Sequence, residues 1–149
     1  MTEIERRLHE RVDNTPFMED NRLSILRAEL GRVQVSAPVR PQLRNNYGIV
    51  HGGFYMSMAD TTAGLAALTD GRKYVTQNAS LQFLGNVSEG TLYAEGTVLH
   101  FGRTVCSVRV EIRSDEGKLM CEGLFSMFAV DRPFVPLEPD GTINRDRVL

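Results

Sequence analysis

The sequence predicts an α+β fold in which one long apolar helix packs against a curved antiparallel sheet. Three observations predict it. Residues 54–69 form a proline-free stretch rich in Ala, Met and Leu, a composition that favours helix. Strand patterns flank that stretch, two before it and four after, most alternating apolar and polar residues with a period of two. No proline occurs between Pro41 and Pro133, so neither the helix nor the strands after it are interrupted.

Taken in order, residues 2–13 predict a short surface helix, with Ile4, Leu8 and Val12 as a narrow stripe between charged flanks. Asp13-Asn14-Thr15-Pro16 ends it. Residues 23–30 read as a strand and Gly31-Arg32 as a turn. Val33, Val35, Ala37 and Val39 then alternate with polar neighbours until Pro38 and Pro41 stop the strand. The loop to Val50 leads into the central helix. That helix has no polar stripe, which predicts burial nearly all round and makes Asp60 conspicuous. A carboxylate in apolar surroundings is costly unless something pairs with it or uses it.

After the loop at residues 69–72 come strands around Val75 to Phe83, Leu92 to Val98, Thr104 to Ile112 and residues 119–130. Their turns fall at residues 85–90, at Gly102-Arg103 and at Asp115-Glu116-Gly117. Consecutive, turn-linked strands predict antiparallel hairpins. The last strand is apolar on both faces, with Met120, Leu124 and Phe128 on one and Cys121, Phe125 and Met127 on the other. Only one face can meet the helix, so the other face and the free sheet edges invite oligomerisation. Pro133, Pro136 and Pro139 mark a tail that leaves the sheet. The 149 residues predict a single domain, 1–149, with a core at 20–131, an N-terminal helix or extension at 1–19 and a C-terminal tail at 132–149.

Composition narrows the function. A formal net charge of -2 lacks the basic excess of a nucleic-acid binder. No apolar run reaches the length of a membrane span, and the charged N-terminus has no signal-peptide core, so a cytoplasmic location is expected. Two cysteines, Cys106 and Cys121, fit a reducing compartment. In the predicted hairpin Cys106 lies opposite about residue 126, leaving Cys121 ~16 Å out of register, too far for a disulfide. The three histidines do not cluster, which argues against a zinc site. Neither a Gly-x-Ser-x-Gly nor a Gly-x-Gly-x-x-Gly motif is present.

The pattern Asn45-x-x-Gly48-x-x-His51-Gly52-Gly53, six residues and then Asp60, resembles the hotdog-fold acyl-CoA thioesterases of the phenylacetate-pathway (PaaI-like) type. The segments from Thr76 to Leu84 and at Gly102-Arg103 are similar too, and the resemblance covers roughly residues 20–131. Family members often carry Arg-Pro after the Phe-Leu of the third strand, where this chain has Phe83-Leu84-Gly85-Asn86. The resemblance implies hydrolysis of an acyl-CoA to a free acid and coenzyme A, with no metal and no cofactor beyond the substrate's own coenzyme A.

Each candidate residue has an ordinary reading beside the functional one. Gly52 and Gly53 either ease the chain into the helix or let a thioester carbonyl reach unpaired N–H groups at its N-terminus. The resemblance implies the Gly53 N–H as the main donor. Asp60 is either bonded to Thr61 or Thr62, or is the base or nucleophile. Asn45 either caps a turn or holds the attacking water or the carbonyl. Thr76 is either an ordinary strand residue or, by the resemblance, a hydroxyl beside the carboxylate. His51 either orients the loop or acts as a base. Arg103 is either solvated or binds coenzyme A phosphates. Phe54 and Tyr55, with Met58, are candidates to line the pocket. A non-catalytic acyl-CoA sensor and a hotdog hydratase or dehydratase remain alternatives on the same fold.

Spacing adds an expectation about assembly. Gly53 and Asp60 lie seven residues apart on the helix, or ~10 Å at ~1.5 Å per residue. Base and oxyanion donor must each come within ~3 Å of the same reacting group. Two antiparallel helices related by a two-fold axis achieve this. An obligate homodimer is therefore expected, with Gly53 and Asn45 of one chain serving Asp60 and Thr76 of the other. A homotetramer built as a dimer of dimers would leave those sites intact.

Overall fold

Helix α1 (Glu3–Val12) begins with a reciprocal cap: Thr2 Oγ1 accepts the Glu5 N–H, and the Glu5 carboxylate accepts the Thr2 N–H. The computed structural model describes residues 1–131 together with Asp140 and Thr142, so the proline-marked tail otherwise lies outside the described residues. Far from lying loosely on the surface, α1 buries Leu8 to 1% exposure. Glu5 also accepts the Ala28 N–H, and Thr2 Oγ1 donates to the Ala28 carbonyl. Those are outward backbone groups of β1 (Ser24–Glu29), so α1 covers that sheet edge. Pro16, expected only to end α1, starts a short second helix, α2 (Pro16–Asp20), at its first position, where its missing N–H costs nothing.

β2 (Arg32–Pro38) pairs with β1, and a 3-10 turn at Pro41–Leu43 leads to α3 (Gly52–Leu68). β3 (Tyr74–Phe83), β4 (Thr91–Phe101), β5 (Val105–Arg113) and β6 (Leu119–Ala129) follow. They complete a six-stranded antiparallel sheet in the order β1-β2-β4-β5-β6-β3, wrapped around α3 in the hotdog arrangement. β4–β5 and β5–β6 are hairpins as expected. β3–β4 is not: β3 pairs with β6 at the far edge, and β4 pairs with β2. Helix α3 carries the chain across the sheet to that edge. Residues 84–90 then return past the helix start, where the Val50 N–H donates to the Val87 carbonyl at 3.0 Å. Period-two patterning identifies a strand but not its neighbours.

The core lies between α3 and the inward faces of β2, β4, β5 and β6, including Val33, Val35, Leu92, Val108, Val110, Phe125 and Met127. Helix and sheet meet closely at Gly96, where a Cβ would lie 3.0 Å from the Thr62 carbonyl and 3.1 Å from Ala66 Cβ. Cys106 pairs with Met127 and Cys121 with Ile112, and both thiols are free and buried. Leu124 and Phe128 face outward as expected, 52% and 39% exposed. Met120, expected beside them, is fully buried beneath Leu84 and Gly85, whose N–H groups bond its carbonyl.

The expectation that α3 is buried all round is corrected in the protomer. Met56 and Asp60 are exposed, and Gly53, Ser57, Thr61 and Gly64 are half-buried. These positions recur at three- and four-residue intervals and form one open stripe. Most of its side chains are small, so hydropathy alone does not distinguish the stripe. Beside it, β3 is exposed along nearly its whole length, and among the described residues only its β6 edge is paired.

Candidate active site

The residues singled out in the sequence fall into three groups along α3. The first is the turn that starts it. The Asn45 carboxamide oxygen accepts the Tyr47 N–H at 2.9 Å and the Ile49 N–H at 3.4 Å, and the Asn45 N–H donates to the Ile49 carbonyl at 2.8 Å. Asn45 thus orders its own loop. His51 is the N-cap: its Nδ1 accepts the Gly53 N–H at 2.8 Å, leaving the ring proton on Nε2. A carbonyl oxygen seeking the Gly53 N–H therefore has to displace the imidazole. His51 is exposed, so no core packing encloses its ring. Neither Gly52 nor Gly53 carries a side chain to block the approach, and the Phe83 ring lies against Gly52, 3.6 Å from where a Cβ would stand.

The second group is Asp60 and Thr76. Thr76 Oγ1 donates to Asp60 Oδ1 at 2.5 Å across from β3. The hydroxyl of Thr62, an alternative partner, instead donates to the Met58 carbonyl within the helix. Thr76 stands at a β-bulge, where the register with β6 shifts between Thr76 and Asn78. Bulges re-aim side chains in this way. Asp60 and Thr76 are both exposed in the protomer. An exposed carboxylate oriented by one hydroxyl can accept a proton from water or attack a carbonyl.

Arg103 forms the third group, in the β4–β5 turn near the C-terminal end of α3, with its side chain exposed. The turn is held from beneath by Arg72, a residue the sequence reading passed over as loop. Arg72 Nη1 donates to the Arg103 carbonyl at 2.8 Å, Nη2 to the Gly102 carbonyl at 3.1 Å and Nε to Asp70 Oδ2 at 2.8 Å. Both side chains of this ion pair are almost wholly buried, 2% and 0% exposed. The Tyr74 hydroxyl donates to the same Asp70 oxygen, and burial together with that carboxylate holds the phenol far above its ordinary range. Nothing in the spacing Asp70-Gly71-Arg72 signals this network, because it depends on where β4 turns.

One protomer does not unite the three groups. Gly53 and Asp60 share the open stripe, yet lie seven residues, or ~10 Å, apart along it. Phe54 and Tyr55, expected to line a pocket, are 7% and 1% exposed, and Met58 is fully buried. They belong to the face of α3 that meets the sheet. Among the described residues, no group of three or more His, Cys, Asp or Glu is placed to hold a metal ion. Nor, among the described residues, is any helix long and apolar enough to cross a membrane.

Comparison with known proteins identifies the same region. A family model described as "Thioesterase superfamily" matches residues 47–121. A Saccharolobus solfataricus protein named "Putative esterase" is 36% identical over 108 residues, covering 71% of this chain and 77% of that protein. A solved Streptococcus pneumoniae structure, described as a hypothetical thioesterase protein with coenzyme A, is 31% identical with a TM-score of 0.71, covering 74% of this chain and 90% of that one. Two variants of that protein have also been solved, one with an aspartate and one with a threonine replaced by alanine. The Escherichia coli PaaI protein from the phenylacetic acid degradation operon shares the fold, with a TM-score of 0.84 at 23% identity over 87% of this chain and 95% of that one.

Proposed function

This chain belongs to the thioesterase superfamily, and we propose from that premise that it hydrolyses an acyl-CoA thioester to a free carboxylic acid and coenzyme A. The observation that carries the reading is the Thr76–Asp60 hydrogen bond on the open stripe of α3. The two residues are separated by sixteen positions, the same spacing as the aspartate and threonine replaced in the Streptococcus pneumoniae variants. Coenzyme A in that protein's structure supports the choice of thioester.

The site we propose is shared between two copies of the chain. Among the described residues the outer edge of β3, beside the open stripe of α3, is unpaired, whereas α1 covers the opposite edge of the sheet. A two-fold axis on the β3 side sets the start of one α3 against the middle of the other. The thioester oxygen takes the Gly53 N–H in place of His51 Nδ1, at the positive end of a helix. Asp60 of the second copy, oriented by Thr76, removes a proton from a water that attacks the carbonyl carbon. The carbon–sulfur bond breaks, and the coenzyme A thiolate leaves and is protonated. Direct attack by Asp60 through a mixed anhydride uses the same geometry. Asn45 keeps the loop closed and offers its amide nitrogen to the water. Arg103, on its braced turn, meets the coenzyme A phosphates. No metal or further cofactor is needed for these steps. Free, buried cysteines fit the cytoplasm as its location.

A hydratase reading is less well supported, because His51 caps its own helix rather than standing beside Asp60. The test is a hydrolysis screen over phenylacetyl-, benzoyl-, short-, medium- and long-chain CoA thioesters, wild type beside Asp60→Asn, with released thiol as the readout. Turnover should fall by ~10²-fold or more in the variant, the scale for losing a positioned base. Binding of a non-hydrolysable CoA analogue should persist. Near-wild-type turnover by Asp60→Asn refutes the mechanism. Binding without turnover by the wild type favours the sensor.

A further inference from the structure

We propose that Asn86 is a positioning residue for this reaction: it ties the chain approaching α3 to the helix's own first turn and so aims the N–H groups of Gly52 and Gly53. The proposal rests on the thioesterase reading above. Two consecutive glycines open the helix, and glycine restricts its own backbone less than any other residue. A donor for a developing oxyanion has to be held within about 0.5 Å of its working position. That precision must come from outside the dipeptide.

His51 supplies part of it through the N-cap bond, and Asn86 supplies a second constraint. Asn86 Nδ2 donates to the Val50 carbonyl at 2.9 Å. Its Oδ1 accepts the Tyr55 hydroxyl at 3.0 Å and the Val87 N–H at 2.8 Å. The Val50 N–H donates to the Val87 carbonyl at 3.0 Å and closes the circuit. With His51 as N-cap, Val50 is the residue just before the cap and Tyr55 the fourth residue of the helix. Apolar side chains at those two positions often touch, and that contact sets the angle at which a chain joins its helix. Here a carboxamide from the returning loop makes the connection with hydrogen bonds.

Two neighbours make the bridge possible. Tyr55 is buried, which pushes its phenol up to about 12, so the hydroxyl stays protonated and donates. Gly85 lets the loop lie against β6: a Cβ there would stand 2.8 Å from Met120 Cε and 3.3 Å from the Leu119 carbonyl. This gives a reason for Gly85-Asn86 in a place where the resembling family often has Arg-Pro. A proline at that position could make none of the three side-chain bonds.

The test compares Asn86→Ala, which removes all three bonds, with Tyr55→Phe, which removes one hydroxyl and keeps the ring. Both are assayed on the fastest thioester of the screen, with melting temperatures measured alongside. A donor used only in the transition state predicts that kcat and kcat/KM fall together in Asn86→Ala, by about ten-fold or more, while KM stays within about two-fold. Tyr55→Phe should move the same way by less. The double variant should be no slower than Asn86→Ala alone, because both act through one bridge. Wild-type kcat in folded Asn86→Ala, even with a lowered melting temperature, overturns the proposal, as does a double variant that loses the product of the two single losses. Should Asn86→Ala fail to fold, Asn86→Asp replaces it, since it keeps both acceptor bonds and sets a carboxylate oxygen against the Val50 carbonyl where the donor stood; wild-type kcat there overturns the proposal equally. The wild type in the same assay separates the two failures. A wild type that hydrolyses none of the thioesters in the screen brings down the thioesterase reading and the positioning role with it. An active wild type, beside Asn86 variants of wild-type kcat, brings down the positioning role alone.

Discussion

Mixing two inactive variants tests whether the site is shared. Asp60→Asn removes the carboxylate that Thr76 orients. Gly53→Val fills the turn that would receive the thioester oxygen. Even a Cβ at Gly53 would stand 3.0 Å from His51 Nδ1 and 3.3 Å from its Cε1, so valine pushes the imidazole into the approach path. Gly53 has no positive φ, so its backbone accepts valine. The ~10 Å between Gly53 and Asp60 along α3 means neither residue can serve the other within one chain. Co-refolding equal amounts of the two variants gives about half mixed dimers by random pairing. In each mixed dimer one site joins intact Gly53 to intact Asp60, and the other carries both lesions. Thiol release should therefore recover to about a quarter of wild-type activity, while each variant alone stays inactive. Sites contained within one chain recover none. Absence of recovery, with mixed dimers confirmed by mass and the Gly53→Val chain shown to be folded, refutes the shared site.

Four further outcomes follow from the structure. Arg103→Ala should raise KM for the CoA thioester and leave kcat nearly unchanged, the pattern of lost uniform binding; an unchanged KM returns Arg103 to solvent. Asp70→Asn should cost about 3–5 kcal/mol in urea denaturation, because it leaves Arg72 charged and buried without its carboxylate, and a loss under about 1 kcal/mol contradicts that account. Burial pushes the Cys106 thiol up to about 12 and the Cys121 thiol up to about 11. Unfolding exposes them to ionise at their ordinary, lower pKa. Above that pKa the unfolded chain binds fewer protons than the native one, so this contribution is fully present below about pH 8.5 and is lost as pH rises toward the native values. Denaturant midpoints should fall between pH 8 and pH 11, with a flatter profile in a Cys106→Ala/Cys121→Ala protein. Equal slopes for the two proteins would assign the alkaline loss to other groups. A thiol reagent at pH 8 should react with neither cysteine until the protein is unfolded.

Much of this architecture is local and was therefore legible in the chain. The proline-free Ala, Met and Leu run specifies α3, period two specifies the strands, and Gly31, Gly102 and Gly117 stand at or beside three of the turns. The motif from Asn45 to Asp60 lies along a single turn and helix, so its spacing was legible in the chain, and the family resemblance it carries pointed to Gly53 and Asp60 within it and to Thr76 beyond it. What local pattern could not carry is which strand lies beside which. Placing β3 against β6 instead of β4 depends on where a 17-residue helix delivers the chain, and only the assembled sheet decides that. The open stripe of α3 escaped the sequence because Gly53, Ser57, Thr61 and Gly64 are small, and hydropathy does not separate a small residue facing solvent from one facing a sheet. The Arg72 brace under Arg103 and the Asn86 bridge at the helix start escaped for a different reason. Each joins groups about thirty or more residues apart through side-chain-to-backbone hydrogen bonds, whose partners are carbonyls. Every residue has a carbonyl, so residue type says nothing about which one a guanidinium or carboxamide will meet. That pairing exists only once the tertiary structure has brought the two ends together.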